Sequence, residues 1–403
     1  MNTLRSILHL DLDSFFVSVE RLRNSALMGK PLIIGGSSDR GVVASCSYEA
    51  RKFGVHSAMP VRVARQLCPQ ALIISGDMEA YSQHSKLVTE IIADKAPVFE
   101  KSSIDEFYID ISGMDRFFGC YQWAKELRQT IMSESGLPIS LGLSVNKMVS
   151  KVATGEAKPN GEKEVPKGTE KEFLAPMPVS KIPMAGKVTC QLLYRMGVTT
   201  IATLREIPME LMENLLGKNG LELWRRANAI DDTPVVPFSE RKSISTENTF
   251  DKDTIDVKML KALLISMVEE IAFKLRSEQK LTACIAVKIR YSNFDTVTKQ
   301  VHVPYTSADH VLIAHALELF NKLYDRRMLI RLIGVRFSHL VHGNYQIHLF
   351  DDTETYINLY QAMDKIRFKH GAEKIMRAVG IGTGKQKVED SPGSLTRLRY
   401  GKG

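Results

Sequence analysis

The sequence predicts an α+β protein of several domains, with two mixed helix and sheet regions separated by a helical segment. The N-terminal and C-terminal parts each follow a β-α-β-β-α-β pattern, while the stretch between them contains only short helical patterns. The chain has 403 residues, which is too long for one ordinary core. We therefore expect two to four domains.

The first pattern begins with residues 6–13, in which apolar and polar side chains alternate. Three leucines alternate with His9, Asp11 and Asp13, so this strand has one apolar and one acidic face. Glycine and small residues over 28–77 indicate a small insertion. The remaining elements are predicted as helices over 14–24, 79–96 and 121–134 and as strands over 104–111 and 139–145.

Charged and turn residues over 158–164 mark the predicted end of this region. Two turn-linked helix pairs are predicted over 179–197 and 207–229, followed by a linker at 231–237. The second pattern predicts a four-stranded sheet backed by two helices. Its strands are expected over 243–250, 283–291, 296–303 and 331–340, its helices over 257–278 and 308–325, and a last helix over 355–369.

Composition narrows the class of protein. The formal net charge is +8, which suits a polyanionic partner but does not establish one. No apolar run reaches the roughly 18 residues of a membrane span, so we expect no membrane contact. The five cysteines form no CxxC pair, which argues against a zinc site or a disulfide framework and predicts a cytoplasmic location.

Two acidic clusters are the candidate reactive centre. Asp11 ends the first strand, and Asp105 and Glu106 precede a second apolar strand. Taken alone, such a pair is more often a solvated strand end. Neighbouring side chains within a strand point to opposite faces of the sheet. Asp105 and Glu106 can therefore serve one site only if they lie where the strand begins. Carboxylates that converge need a cation, and hard oxygen ligands select magnesium or manganese.

In combination with four further motifs, these clusters resemble the Y-family of translesion DNA polymerases, in its bacterial polymerase IV-like branch, which is related to the polymerase V catalytic subunit. The resemblance covers roughly residues 5–345, and six motifs occur in the family's order. They are LDLDSFF (10–16), SYEARKFGV (47–55), SIDEFYID (103–110), LGLSVNKMVSKVA (141–153), KPNG (158–161) and GVRFSHL (334–340).

The resemblance implies a right-hand polymerase with a ferredoxin-like palm. The fingers would be the small insertion, the thumb would be helical with helix-hairpin-helix motifs, and the little finger would be the second sheet with two helices. The implied boundaries are palm 1–27 and 78–165, fingers 28–77, thumb 166–232, linker 233–242, little finger 243–342 and C-terminal tail 343–403.

The resemblance also implies a two-metal centre. Asp11, Asp105 and Glu106 would be the catalytic metal ligands, helped by the backbone carbonyl of Leu12. The cofactor would be two Mg²⁺ ions, for which Mn²⁺ can substitute. Such a pair can clamp the attacking and leaving oxygens of a phosphoryl transfer. Asp13 also matches an acidic family position, and we interpret it as a structural carboxylate.

The nucleotide site would involve Phe15, Phe16, Tyr48, Arg51 and Lys158. Phe16 matches the steric gate, where an aromatic ring excludes a ribose 2′-hydroxyl, whereas Phe15 is expected to belong mainly to the core. Tyr48, Arg51 and Lys158 would bind the triphosphate. Without the resemblance, the charges at 51–52 would be interpreted as an exposed surface pair.

Template and primer would contact two other regions. In the thumb, Gly186 and Lys187 follow Met184, where the family usually has the first glycine of Gly-x-Gly. A Met side chain disfavours positive φ and hinders close approach of the backbone to phosphate. Residues 241–342 carry sixteen Lys and Arg against eleven Asp and Glu. The candidate phosphate contacts there are Arg241, Lys242, Arg331 and Arg336, with a solvated charged face as the alternative.

A peptide past the second sheet resembles the segment by which bacterial polymerases bind the sliding clamp. Gln346, Leu349 and Phe350 match Gln-x-x-Leu-Phe, in which the two apolar side chains enter a pocket of the clamp. An ordinary strand is the alternative interpretation of this short match.

These observations predict a monomeric, low-fidelity DNA polymerase for damage bypass in DNA repair. It would act on primer-template DNA and deoxynucleoside triphosphates. One alternative is a non-catalytic DNA- and clamp-binding factor with a polymerase fold. Another is a different palm enzyme, such as a nucleotide cyclase, which would need neither a hairpin-bearing thumb nor a basic C-terminal sheet.

Overall fold

The structure is a computed structural model that describes residues 5–36, 38, 40–114, 119–237, 239–325, 327–343, 353–371 and 374–380. The chain divides into two compact units, Met1–Ser239 and Glu240–Gly403. Both combine helices with antiparallel-rich sheets, so the α+β class is confirmed. No helix in these ranges is long and apolar enough to cross a membrane.

The first unit contains two sheets and the helices of the predicted thumb. Its strands are β1 (Ile7–Leu12), β2 (Leu32–Gly35), β3 (Val43–Cys46), β4 (Leu72–Ile74), β5 (Phe99–Lys101), β6 (Glu106–Asp110), β7 (Ile139–Ser144) and β8 (Glu162–Glu164). Its helices are α1 (Phe15–Arg23), α2 (Tyr48–Arg51), α3 (Val61–Leu67), α4 (Met78–Lys95), α5 (Cys120–Ser135), α6 (Lys147–Ala157), α7 (Glu170–Leu174), α8 (Lys187–Arg195), α9 (Ile201–Arg205), α10 (Met209–Leu216) and α11 (Lys218–Ala227).

The larger sheet has the order β5-β6-β1-β7-β8 and places β1 at its centre. The apolar face of β1 joins a buried cluster with α1, α4 and α5, as the alternation of leucines predicts. Two of its strands were not predicted. β5 has three residues, too few to show alternation, and β8 consists of charged residues that pair in parallel with β7.

α6 lies close against this sheet because of a glycine. A Cβ atom at Gly142 in β7 would lie 2.3 Å from the carbonyl oxygen of Ser150. Any other residue at this position would therefore push α6 away from the strands. The side chain of Asn146 caps the helix by accepting from the Val149 N–H at 2.9 Å.

The predicted insertion forms the smaller sheet, β3-β2-β4, with a core of its own. α2 follows β3 directly, and Ser47 caps it by accepting from the Ala50 N–H at 3.3 Å. This single turn carries Tyr48 and Arg51. Beyond the larger sheet, α7 to α11 pack with α6 around a third buried cluster.

The elements of the second unit are β9 (Ser243–Thr254), α12 (Val257–Ser277), β10 (Lys280–Tyr291), β11 (Thr296–Thr306), α13 (Asp309–Leu323), β12 (Ile330–His342) and α14 (Thr353–His370). The strands form a four-stranded antiparallel sheet of order β11-β10-β12-β9, with α12 and α13 packed on one face. The predicted sheet and its two helices are confirmed. α14 is tied to α12 by Arg276, which binds Asp364 at 2.6 Å and also Asp309 at 2.5 Å.

Candidate active site

Strand pairing brings the three predicted acidic residues to one end of the central strand. Asp11 of β1 is directly opposite Glu106 of β6 in the antiparallel register. The N–H of Leu12 donates to the Asp105 carbonyl at 3.0 Å, so Asp105 lies just before β6 begins. Glu106 is the first residue of that strand, which is the placement that a shared site requires.

The charge of this acidic end is balanced by lysines. Lys158 forms an ion pair with Asp11, and Lys151 of α6 forms one with Glu106 at 2.5 Å. The ligand atoms of the three carboxylates do not all lie within 4.8 Å of one another. Asp11 is instead paired with Lys158, and Glu106 with Lys151. The sequence alone indicated no role for Lys151. This residue lies one helical turn after Lys147 on α6, so both lysines are on the side of the helix that faces the sheet.

Asp11 is the carboxyl group whose pKa is most informative. Burial raises its pKa to about 6, against the opposing effect of the Lys158 ammonium, and the charges of Glu106 and Asp105 add to the increase. The side chain is 15% exposed. A buried carboxyl group with two acidic neighbours favours a cation close to it, and the three carboxylates are hard oxygen donors of the kind that Mg²⁺ prefers.

Asp13 has a different role, because protein groups occupy both of its oxygens. It accepts hydrogen bonds from the Tyr48 hydroxyl at 3.0 Å, the Ser140 hydroxyl at 2.7 Å and the Asn160 N–H at 2.7 Å. These bonds join β1, α2 and β7 to the loop before β8. The geometry agrees with the interpretation of Asp13 as a structural carboxylate.

This arrangement changes the expectation for Tyr48. Its hydroxyl proton points to Asp13, so a phosphate would have to compete with that carboxylate for it. Burial and Asp13 both raise the pKa of Tyr48, which keeps the phenol protonated. Tyr48 also lies under the guanidinium of Arg51, 4.6 Å from the ring centroid, and so supports Arg51.

A pocket of about 170 Å³ opens beside Asp11 and Asp105. Arg51 and Lys158 lie on its wall, and among the described residues no carboxylate forms an ion pair with Arg51. This guanidinium is therefore available to an anionic ligand. The pocket lining combines acidic, basic, hydroxyl and aromatic side chains: Asp11, Leu12, Ser14, Phe15, Phe16, Ala44, Ser45, Arg51, Ser57, Asp105 and Lys158.

Phe16 forms the aromatic part of the wall. Its ring stacks on Tyr81 with centroids 4.3 Å apart and an interplanar angle of 14°. Tyr81 is fixed in turn by donating to Glu20 at 2.7 Å. Phe15 is only 2% exposed and belongs to the core beneath, as expected, although it reaches the pocket lining.

Ser14 is a pocket residue that sequence reasoning did not assign. It has a left-handed backbone (φ 45°, ψ 46°) that turns the chain from β1 into α1. Its hydroxyl oxygen is buried and has no hydrogen-bond partner among the described residues. Its place between two assigned motif residues was the only signal for it in the sequence.

The first thumb hairpin forms although its glycine is missing. Met184 adopts the positive φ itself, at 72°, and is 87% exposed. Gly186 is the N-cap of α8 and Lys187 is its first residue, and both are exposed. The second predicted hairpin is also present, since Gly217 (φ 59°) ends α10 and starts α11.

The candidate phosphate contacts of the second unit differ in their surroundings. Arg241 pairs with Glu278 at 2.7 Å, and Arg331 lies 4.4 Å from the ring centroid of Phe294. Lys242 and Arg336 are exposed. The predicted clamp-binding residues Gln346, Leu349 and Phe350 lie outside the described residues.

Comparison with known proteins places the chain in a family. Residues 10–155 match the impB/mucB/samB family, and residues 241–349 match the C-terminal domain of that family. A DNA polymerase IV from Dehalococcoides mccartyi is 38% identical over 377 residues, which covers 93% of this chain and 97% of the relative. A DNA polymerase IV from Listeria innocua is 38% identical over 343 residues, covering 84% and 96%.

Solved structures agree with these relatives. A Y-family DNA polymerase chimera matches with a TM-score of 0.76 and 26% identity, covering 84% of this chain and all of the chimera. The expected right-hand fold is thereby confirmed. This chain belongs to the impB/mucB/samB family, the Y-family of translesion DNA polymerases.

Proposed function

We propose that this polymerase extends a primer 3′ end by phosphoryl transfer at Asp11, Asp105 and Glu106, with the carbonyl of Leu12 as a further ligand. The observation that carries the proposal is the pairing of Asp11 with Glu106, next to Asp105, at the edge of an anionic-ligand pocket. Two Mg²⁺ ions, or Mn²⁺ in their place, would supply the charge that holds the attacking and leaving oxygens together.

The lysines adjust the charge of the site as ligands bind. Lys158 neutralises Asp11, and it would lose this partner if Asp11 were to hold a metal ion. Because Lys158 lines the pocket, its ammonium would then be able to pair with the triphosphate. Lys151 likewise neutralises Glu106.

The nucleotide is held by the pocket wall. Arg51 would bind phosphate oxygens through its guanidinium, with Tyr48 as its support and as a weaker hydroxyl donor. Phe16, fixed by its stacking on Tyr81, packs against the deoxyribose and excludes a 2′-hydroxyl. The partly open pocket and the small three-stranded insertion confine the new base pair loosely, which favours damaged templates and lowers fidelity.

Duplex DNA would contact the thumb hairpin at Gly186 and Lys187 and the second sheet at Lys242 and Arg336. Of the four basic candidates there, Arg241 is paired with Glu278 and Arg331 lies over the ring of Phe294. We also propose that residues 346–350 bind the sliding clamp, that the chain is a monomer and that it is located in the cytoplasm.

Primer extension by the purified chain, without accessory proteins, tests the function. The assay uses an undamaged template and one with an abasic site, and we expect added nucleotides on both. A binding factor would retain DNA affinity without extension, and a cyclase would consume nucleotide without DNA. Either result would reject a polymerase role for this chain.

A further inference from the structure

A group of soft ligands lies in the second sheet, far in sequence from the acidic site. Cys284 is on the central strand β10, His302 is on β11, and His339 is on β12. Cys284 is directly opposite His302 and also opposite Ser338, the residue before His339. The sulfur atom and one nitrogen of each ring lie within 4.8 Å of one another.

The local backbone departs from regular sheet geometry so that the three side chains meet. His339 has a left-handed φ of 53°, which interrupts the alternation of side chains along β12. The pairing of β10 with β11 also shifts register between Thr282 and Cys284. As a result the rings of His302 and His339 stack, with centroids 5.0 Å apart and an interplanar angle of 21°.

Within the described part of the chain, the three ligand groups form no hydrogen bond or ion pair. This holds for both imidazoles and for the Cys284 sulfur. Cys284 is 1% exposed, whereas both histidines are exposed to solvent. The site therefore has a buried sulfur at its base and two rings that can adjust above it.

The donor set selects a class of metal. One thiolate and two imidazoles suit borderline-soft divalent ions such as Zn²⁺ and are poor ligands for Mg²⁺. Zinc lies about 2.3 Å from sulfur and about 2.0 Å from nitrogen, which puts tetrahedral ligands roughly 3.5 Å apart. Since no two of these ligand atoms lie more than 4.8 Å apart, each pair would approach by at most about 1.3 Å to reach this geometry.

We propose that Cys284, His302 and His339 form a binding site for a zinc-class cation in the second sheet. The fourth position faces solvent and would hold water. Because the three ligands lie on neighbouring strands, the ion would fasten the edge strand β11 to β10 and β12. An ion that binds the folded form alone also stabilises it against unfolding.

Cobalt titration of the full-length chain, without a histidine tag and in excess magnesium, tests this proposal. Co²⁺ reports its ligands directly, because a bound thiolate gives a charge-transfer absorption band. We expect such a band at one equivalent of Co²⁺ and its loss when Zn²⁺ is added. Cys284→Ser should abolish the band, and His302→Gln or His339→Asn should weaken Co²⁺ binding at least tenfold.

Cys190→Ser is the matched control, because Cys190 is a buried cysteine of the first unit and its loss should leave the band intact. The His302→Gln change is at an exposed position, so it keeps the test decisive if Cys284→Ser fails to fold. No band in the wild-type chain, or a band that survives both Cys284→Ser and His302→Gln, would overturn the proposal. The readout does not depend on DNA synthesis, so a failed polymerase assay leaves this test unaffected.

Discussion

At the scale of single residues, the main feature of the candidate active site is the close approach of acidic and basic side chains. Asp11 is buried beside two acidic neighbours and is neutralised by Lys158. Arg51 is held over an aromatic ring without a carboxylate partner among the described residues. The site can therefore bind cations at its acidic residues and an anionic ligand at Arg51.

The raised pKa of Asp11 has a consequence for stability. Because the folded-state pKa is about 6, above its unfolded value of 3.8, the folded protein binds the proton more tightly. In metal-free protein this contribution is fully present below about pH 3.8 and is lost as pH rises through 6. Relative to Asp11→Asn, the wild type should lose on the order of 2 kcal/mol of unfolding free energy over that interval.

Urea unfolding in a chelator at pH 4.5 and pH 7 measures this difference. The Asn variant is the reference in which the titrating group is absent. A wild-type advantage that stays constant or grows with pH would contradict the assignment of the raised pKa to Asp11.

Replacing Phe16 tests sugar selection. Phe16→Ala should increase ribonucleotide incorporation by at least tenfold, because the ring that excludes the 2′-hydroxyl is removed. The ratio of kcat/KM for ribo- and deoxynucleotides measures the effect. Phe53→Ala removes an exposed ring that does not line the pocket and should leave the ratio unchanged. Equal selectivity in both variants would remove Phe16 from this role.

Replacing Arg51 tests triphosphate binding. Arg51→Gln should raise KM for the nucleotide about tenfold with a smaller change in kcat, since a charge-assisted contact contributes roughly 1.5 kcal/mol. The neighbouring Lys52→Gln removes the same charge outside the pocket lining and serves as the control. Steady-state kinetics that do not separate the two variants would count against Arg51 as a phosphate ligand.

At the scale of elements, short segments place the reactive side chains. α2 is a single turn that brings Tyr48 and Arg51 to the pocket, and the left-handed Ser14 directs α1. The long periodic elements and the convergence of the acidic strand ends were predictable from the sequence. β5, β8 and the pairing of Lys151 were not, because three-residue strands carry no period and ion pairs depend on the packing of α6.

The thumb hairpin gives a prediction at this scale. Met184 occupies a left-handed conformation that costs an L-residue about 1 kcal/mol. Met184→Gly should therefore raise the unfolding free energy by up to that amount and tighten DNA binding by giving phosphate access to the hairpin. Met184→Ala is the matched control, since it shortens the side chain but keeps the penalty. If the two variants show the same stability and the same Kd for DNA, backbone strain at Met184 is not significant.

At the scale of the whole molecule, the two compact units carry different functional groups. The first contains the acidic site and the hairpins, and the second adds a basic sheet followed by the predicted clamp peptide. The sequence predicted the larger sheet of the first unit and the sheet of the second unit, because hydrophobic periodicity is local. It could not predict the meeting of Cys284, His302 and His339, because that depends on sheet register and on one left-handed residue.

Deleting residues 346–350 tests whether the chain binds the sliding clamp through this peptide. Clamp-stimulated synthesis should fall to the basal level, while synthesis without the clamp should not change. Deletion of 391–395 removes an equal length of the tail and is the control. Stimulation that persists after the first deletion would show that docking uses another surface.

The most direct test of catalysis by the acidic residues is primer extension by an Asp105→Ala/Glu106→Ala variant. The affinity of the variant for primer-template DNA is measured in parallel. We expect the wild type to extend the primer with magnesium, and the variant to bind DNA equally well but to add no nucleotide. Extension by the variant at a rate near that of the wild type would contradict catalysis at the junction of β1 and β6.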